Sequence, residues 1–458
     1  MNKFQLRQVQ YNKLYLLYFI CLLTVVVFVL TCTINAPYAD DFWFLRYIIQ
    51  YFDAKSTQEK ITILHSQFDL GINPITHQID YIPHRHTLLK ILMIGYVKVF
   101  KSLNIRFFVL LNAFTCVISV IYFLKLINYK SLTNIYVKST IILILFTLVY
   151  YINIFWFVAL ANNMLILFGL MSMYYISRTQ KKYFIFSSLL LILGAMSSQG
   201  GILFFLICLL YLFLNKHYFR FSILLVIAII CISIHQAGLH SAMVEKNNYV
   251  SLLFYCVVLF IASMGSFGPN PIICILLGIT FSLALVYLLF TTKSFERTDM
   301  RYYLLLLFVL ILLGISFSRY HSGIGYIINS RFKFYSILLW LTTFSLYLDF
   351  HPAIEKYSKY LLYISIIYFT FGNIISFKMA LKRKHKIEAG ILAYQKNKTG
   401  LFIYENAYTN AKFNSKIEEV NKTMEMLLKK NYYQFPKIKQ KQLDKKNQYQ
   451  SLAPTFLR

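Results

Sequence analysis

The sequence predicts an all-α polytopic membrane protein of about eleven transmembrane helices, with a long first extracytoplasmic loop and a small soluble C-terminal tail. Three observations carry that expectation. Of the 458 residues, 58% are hydrophobic and 18% aromatic, and the mean hydropathy is +0.59, more apolar surface than a soluble fold can bury. The apolar residues fall in repeated, nearly charge-free runs of about twenty, the length a hydrocarbon layer about 30 Å thick selects. Lys and Arg gather at alternate ends of these runs, as the positive-inside rule requires.

Taken in order, Met1–Lys13 is basic and the apolar run after it lacks a small-residue cleavage site, so it reads as a retained first helix. Residues 1–13 are expected in the cytoplasm and 14–376 as the transmembrane domain. Within it, 35–105 is the first extracytoplasmic loop, with amphipathic patterns near Phe42–Phe52 and Ile61–Phe68. Leu88–Phe100 carries Lys90 and Lys98 and reads as an interfacial helix with snorkelling lysine stems. Spans follow at 107–124, 139–157, 163–177, 183–198, 201–215 and 219–237. The stretch 250–268 is expected to lie half-inserted or on the surface, because a crossing there would put Lys293, Arg297 and Arg301 outside. Spans at 271–290, 302–317, 333–348 and 359–376 complete the bundle, and 377–458 is a basic tail.

The formal charge is +29, from 46 Lys and Arg against 17 Asp and Glu. Beyond the loop bias, this excess suits anionic headgroups or a phosphorylated substrate. Nucleic acid is excluded as a partner, since no basic, aromatic-interleaved soluble module is visible. The seven cysteines lie in or beside apolar runs without the spacing of a zinc or redox site, and read as small core residues. Asn153, Asn162 and Asn163 read as makers of interhelical hydrogen bonds, and "SSQGG" at 197–201 as a tight turn using glycine's backbone freedom.

Three polar groups converge on the outer face. "YADDFWFLRY" holds Asp40 and Asp41, with Arg46 beyond them; "DYIPHRHTLLK" holds Asp80, His84, Arg85 and His86; "SRYHSGIGYIINSRFKFYS" holds Arg319, His321, Arg331 and Lys333. Arginine forks match phosphate oxygens bidentately. A carboxylate beside them either accepts a proton from an attacking hydroxyl or holds a divalent metal such as Mg²⁺ or Mn²⁺. Plainer readings stand beside these: acids capping a helix at Phe42, loop histidines with no special role, and arginines snorkelling to headgroups.

These residues resemble the membrane-embedded glycosyltransferases of the GT-C superfamily, in particular bacterial members related to O-antigen glucosyltransferases. In that family one helix precedes a long outer loop that opens on an acidic pair, whose first acid is catalytic. The resemblance implies Asp40 as the catalytic residue with Asp41 beside it. Read from their own chemistry, Arg85, Arg319, Arg331 and Lys333 are the candidate phosphate contacts, with Arg46, His84, His86 and His321 as accessory groups. The resemblance further implies a GT-C-like bundle in a bacterial inner membrane. There an inverting transferase moves a sugar from a polyprenyl-phosphate carrier, among membrane lipids, to a glycan, lipid or protein acceptor. The sequence departs from the family in lacking a paired-proline motif and a strongly acidic second outer loop that would complete a metal site. Two other functions fit the pattern: a polymerase or ligase of envelope polysaccharide relying on arginines, and a non-enzymatic lipid or polysaccharide transporter. The apolar span centres weigh against transport, which places polar groups at mid-bilayer.

Overall fold

The computed structural model describes residues 3–38, 41–72, 79–82, 85–127, 134–237, 249–268, 270–291, 298–318, 324–328, 330–397 and 414–438. Its regular structure is helical apart from one antiparallel hairpin, β1 (Phe68–Ile72) with β2 (Ile79–Ile82). Among the described residues, 8 helices are long and apolar enough to cross a membrane, from Asn12–Cys32 to Ala353–Leu392. Their outward faces carry Val226 and Ile230, Leu283 and Phe290, and Ile364 and Phe371, all exposed. Such surface is stable against lipid and not against water. The chain is a helical, polytopic membrane protein.

Helix α1 (Lys3–Cys32) leads to the first loop, which folds into α2 (Asp41–Asp53), α3 (Thr57–His65), the hairpin and α4 (Thr87–Phe100). The α3 start is set by a capping box: Glu59 N donates to Ser56 Oγ at 3.1 Å, while Lys55 N and Ser56 N donate to Glu59 Oε2. α5 (Ile105–Ile127) re-enters the bundle.

The span expected at 139–157 is not one helix. It divides into α6 (Ile135–Leu145), a 3-10 turn (Leu148–Tyr150) and α7 (Tyr151–Phe155). Backbone groups freed inside an apolar bundle need partners. Asn112 Nδ2 on α5 donates to the carbonyls of Ile154 (3.3 Å) and Trp156 (3.1 Å). Asn163 Nδ2 donates to Asn112 Oδ1 (2.7 Å) and Asn153 O (3.0 Å), and Leu148 N donates to Asn373 Oδ1 at 2.7 Å. Of the asparagines expected to join helices Asn163 does so, and with Asn112 and Asn373 it also repairs a helix break.

α8 (Ala159–Ile176), α9 (Lys181–Ser197), α10 (Gly201–Leu214) and α11 (Tyr218–Gln236) follow as an antiparallel series. The turn between α9 and α10 corrects the expectation about its glycines. Gly200 has an ordinary helical φ of −57°, and a Cβ on Gly201 would run into the Ala195 backbone at 2.5 Å. Glycine is needed there for close approach. α12 (Tyr249–Met264) and α13 (Pro271–Thr291) form a hairpin packed on α14 (Met300–Ser318), α15 (Ile324–Ile327) and α16 (Ser330–Phe350). Ser336 Oγ and Trp340 Nε1 both donate to Met264 O, at 2.6 and 2.9 Å. All seven cysteines are free, and all but the half-buried Cys231 are buried.

The last span also differs from expectation. α17 (Ser358–Asn397) runs 40 residues without a break, about 60 Å of helix against a hydrocarbon layer of about 30 Å. Asn134 Nδ2 donates to Ser358 Oγ (3.2 Å), which places the start of α17 beside the start of α6. Lys384 Nζ donates to Thr31 O (2.8 Å), which places its far half beside the end of α1. A final helix, α18 (Asn414–Lys429), packs on α2.

Candidate functional site

Asp40, His84, Arg319 and His321 lie outside the described residues, and Arg331 is described only as part of α16 and Asp80 only as part of β2. The other candidates are in view. Asp41 is buried, and both its carboxylate oxygens accept backbone N–H groups: Tyr38 N at 2.9 Å and Val158 N at 3.0 Å. Val158 caps the N-terminus of α8, so the carboxylate sits at the positive end of that helix. The plainer reading placed such an acid as a cap of the helix at Phe42; Asp41 instead accepts from Tyr38 N, ahead of α2, and from the start of α8.

Arg85, His86 and Arg46 are drawn into one basic cluster where the first loop meets the ends of α9 and α11. Arg85 is 7% exposed. Its Nη1 donates to Ile234 O at 3.4 Å and its Nη2 to Ala237 O, tying the C-terminal end of α11, while its Nε is buried without a hydrogen bond. His86 starts α4 in a left-handed conformation (φ 48°), with Nδ1 2.9 Å from Ser197 O. Its ring lies edge-on to Phe44. Burial, opposed by the Ser197 carbonyl and helped by Lys90 and His235 nearby, holds the imidazole pKa down at about 4.

One turn along α4 is Lys90, whose ammonium does not snorkel as the sequence suggested. It is 0% exposed. It donates to Ile63 O (3.1 Å), Ser66 O (2.7 Å) and Ser66 Oγ (2.9 Å). It also sits 3.8 Å from the centroid of the Tyr47 ring. Burial, then Arg46 and Arg85, pull its pKa well below the usual lysine value, against the three acceptors and the ring that favour the ammonium. His65 feels burial, Arg85 and Lys90 in the same direction. Among the described residues, no carboxylate pairs with Arg85 or Lys90. An open cleft of about 750 Å³ lies over Tyr47 and Ser66, lined also by Gln50, Asp53, Gln58 and Thr62.

Lys333 stands apart: half-buried on α16, its electrostatic neighbour is Cys274 on α13, and among the described residues nothing joins it to Arg85. Nor, among those residues, is any group of three His, Cys, Asp or Glu placed to hold a metal ion. Sequence reasoning missed Lys90, His65, His235 and Tyr47. The available signal was the spacing of Lys90 four residues after His86, one turn along the same helix.

The fold and the site define a class: a polytopic helical membrane protein with a buried cationic cluster beneath a folded loop. Against family models, curated proteins and solved structures, the chain finds no match.

Proposed function

We propose that this chain is a glycosyltransferase of a bacterial inner membrane, moving a sugar from a polyprenyl-phosphate carrier to an extracytoplasmic glycan, lipid or protein. In this reading α1, α5, the broken α6–α7, α8, α9, α10, α11, α13, α14, α16 and α17 cross the bilayer in a GT-C-like bundle, with the first loop outside. The observation that carries it is the pair Arg85 and Lys90, buried together with no carboxylate partner among the described residues. Two buried cations that feel one another are costly, and a phosphate reached by the unpaired Nε of Arg85 offsets that cost while gaining a charge-assisted hydrogen bond.

The chemistry follows from those charges. Asp41 accepts backbone N–H groups with both carboxylate oxygens, and the resemblance to the GT-C enzymes makes Asp40 the base. Asp40 takes the proton of the acceptor hydroxyl, whose oxygen attacks the anomeric carbon. The bond from that carbon to the phosphate oxygen breaks, and the carrier phosphate leaves with the electron pair. Arg85 neutralises the charge that develops on it through its unpaired Nε, and the buried Lys90 adds the field of its charge without a direct bond.

The test is sugar transfer by membranes containing Asp40→Asn at the normal protein level. Transfer falls at least about 100-fold if the carboxylate is the base. Retained transfer removes Asp40 from the role. If Arg85→Lys abolishes activity while Asp40→Asn is tolerated, the polymerase or ligase reading takes its place.

A further inference from the structure

We infer that residues 414–438 are a clasp, on the same side of the membrane as the first loop, that closes the neck of that loop, with Tyr433 as its positioning residue. The loop begins at Asn35 and ends at Leu103–Ile105, and these two ends are joined: Ile105 N donates to Asn35 Oδ1 at 2.7 Å. The C-terminal segment binds both. Tyr433, 0% exposed, donates its Oη to Asn35 O at 2.7 Å. Asn35 Nδ2 donates to Gln434 O at 3.3 Å, and Leu103 N donates to Tyr432 O at 2.7 Å.

Above the neck, α18 lies along α2. Val420, Met424 and Leu427, spaced at i, i+4 and i+7, form its buried stripe. Tyr432 packs on Phe52 with ring centroids 5.0 Å apart, and Lys430 pairs with Asp53. α2 also carries Arg46 and Tyr47, so the clasp bears directly on the wall of the basic cluster.

The placement opposes the charge rule, since the tail is basic. Long terminal segments follow that rule poorly, and α17 is long enough to leave the bilayer beside the end of α1. There Arg383 lies over the Tyr38 ring at 4.6 Å.

The sidedness and the clasp stand without the glycosyltransferase reading; only the link to transfer rests on it. Three exposed lysines report the side in full-length protein in sealed vesicles: Lys55 on the loop, Lys429 on the clasp and Lys181 at the opposite end of the bundle. With a membrane-impermeant maleimide, Lys55→Cys and Lys429→Cys label together and Lys181→Cys does not. Labelling of Lys429→Cys together with Lys181→Cys overturns the inference. For the clasp, Tyr433→Ala speeds protease cleavage of the first loop about ten-fold, and Tyr433→Phe, which keeps the ring, does so less. A disulfide between Asp53→Cys and Lys430→Cys, added to Tyr433→Ala, restores protection until it is reduced. Unchanged cleavage in Tyr433→Ala, or protection that the disulfide does not restore, sinks the clasp. Sugar transfer measured on the same variants recovers with protection where the loop is catalytic. If labelling and protection behave as stated while no variant or unsubstituted chain transfers sugar, the functional reading fails and the clasp survives.

Discussion

The Lys90 ammonium lies 3.8 Å from the centre of the Tyr47 ring, with the Ser66 carbonyl 2.7 Å away on the loop. That contact joins three segments: α4 through Lys90, α2 through Tyr47, and the turn after α3 through Ser66. A flexible surface lysine would do none of this. The first loop is folded around a buried charge, and the charge lies beside Arg85, close to where α11 ends.

Lys90→Met tests whether that charge stabilises the loop. The methionine keeps an unbranched stem and removes the ammonium, leaving three oxygens without their donor. The expected loss is about 2–3 kcal/mol, read as a lower thermal midpoint in detergent. A variant as stable as the unsubstituted chain would mean that burying the charge costs as much as its bonds return.

His86 makes stability depend on pH in a defined direction. Its folded pKa of about 4 lies below the ordinary 6.5. As pH falls through 6.5 towards 4, the unfolded chain takes up a proton that the folded chain does not. Stability is present above that window and declines within it, by about 3 kcal/mol in all. The groups facing the ring are Lys90 and His235, with Arg85 beside His235. Thermal midpoints measured between pH 7 and 4 should fall for the native chain and fall less for His86→Gln.

Asp41 and its neighbour should separate by phenotype. Asn offers one acceptor oxygen where Asp41 uses two, so Asp41→Asn places an amide N–H against a backbone N–H. A loss of about 1–3 kcal/mol and a lower membrane level are expected. Asp40→Asn should leave the level unchanged and remove transfer. Equal protein levels in both variants would contradict the division of labour between the two acids.

At the opposite end, Arg301 clamps α14 to α16. It is 1% exposed, donates to Asp299 Oδ2 at 2.7 Å and Ser345 O at 3.0 Å, and also pairs with Asp349. Arg301→Ala strands two acids and should cost about 3–5 kcal/mol. Adding Asp349→Ala should return part of that loss, which a double-mutant cycle on thermal stability would read as coupling.

Several elements were legible before any coordinates. Run length and charge placement located α1, α5, α8, α11, α13 and α14, since a helix must span the hydrocarbon and keep its lysines in water. The acid pair with Arg46, and "HRH", marked the loop that holds the cluster. Where sequence reasoning failed, it failed at partners. Lys90 was read as a snorkelling side chain because its helix is apolar and short; nothing local says that Ser66 and Tyr47 will arrive to surround it. The 139–157 span was read as continuous because hydropathy does not register a backbone break that Asn112, Asn163 and Asn373 can repair.

What the sequence determined by itself was therefore the environment: a chain that belongs in lipid, with its charges at the ends of its spans. Transfer free energy adds residue by residue along a run, so it can be read without knowing what the run touches. The tertiary structure alone decided that Asp41 is tied to backbone, that Lys90 is buried, and that residues 414–438 pack against the first loop. Those outcomes rest on hydrogen bonds and ring contacts between residues as far apart as Asn35 and Tyr433, and their energies exist only once both ends are in place.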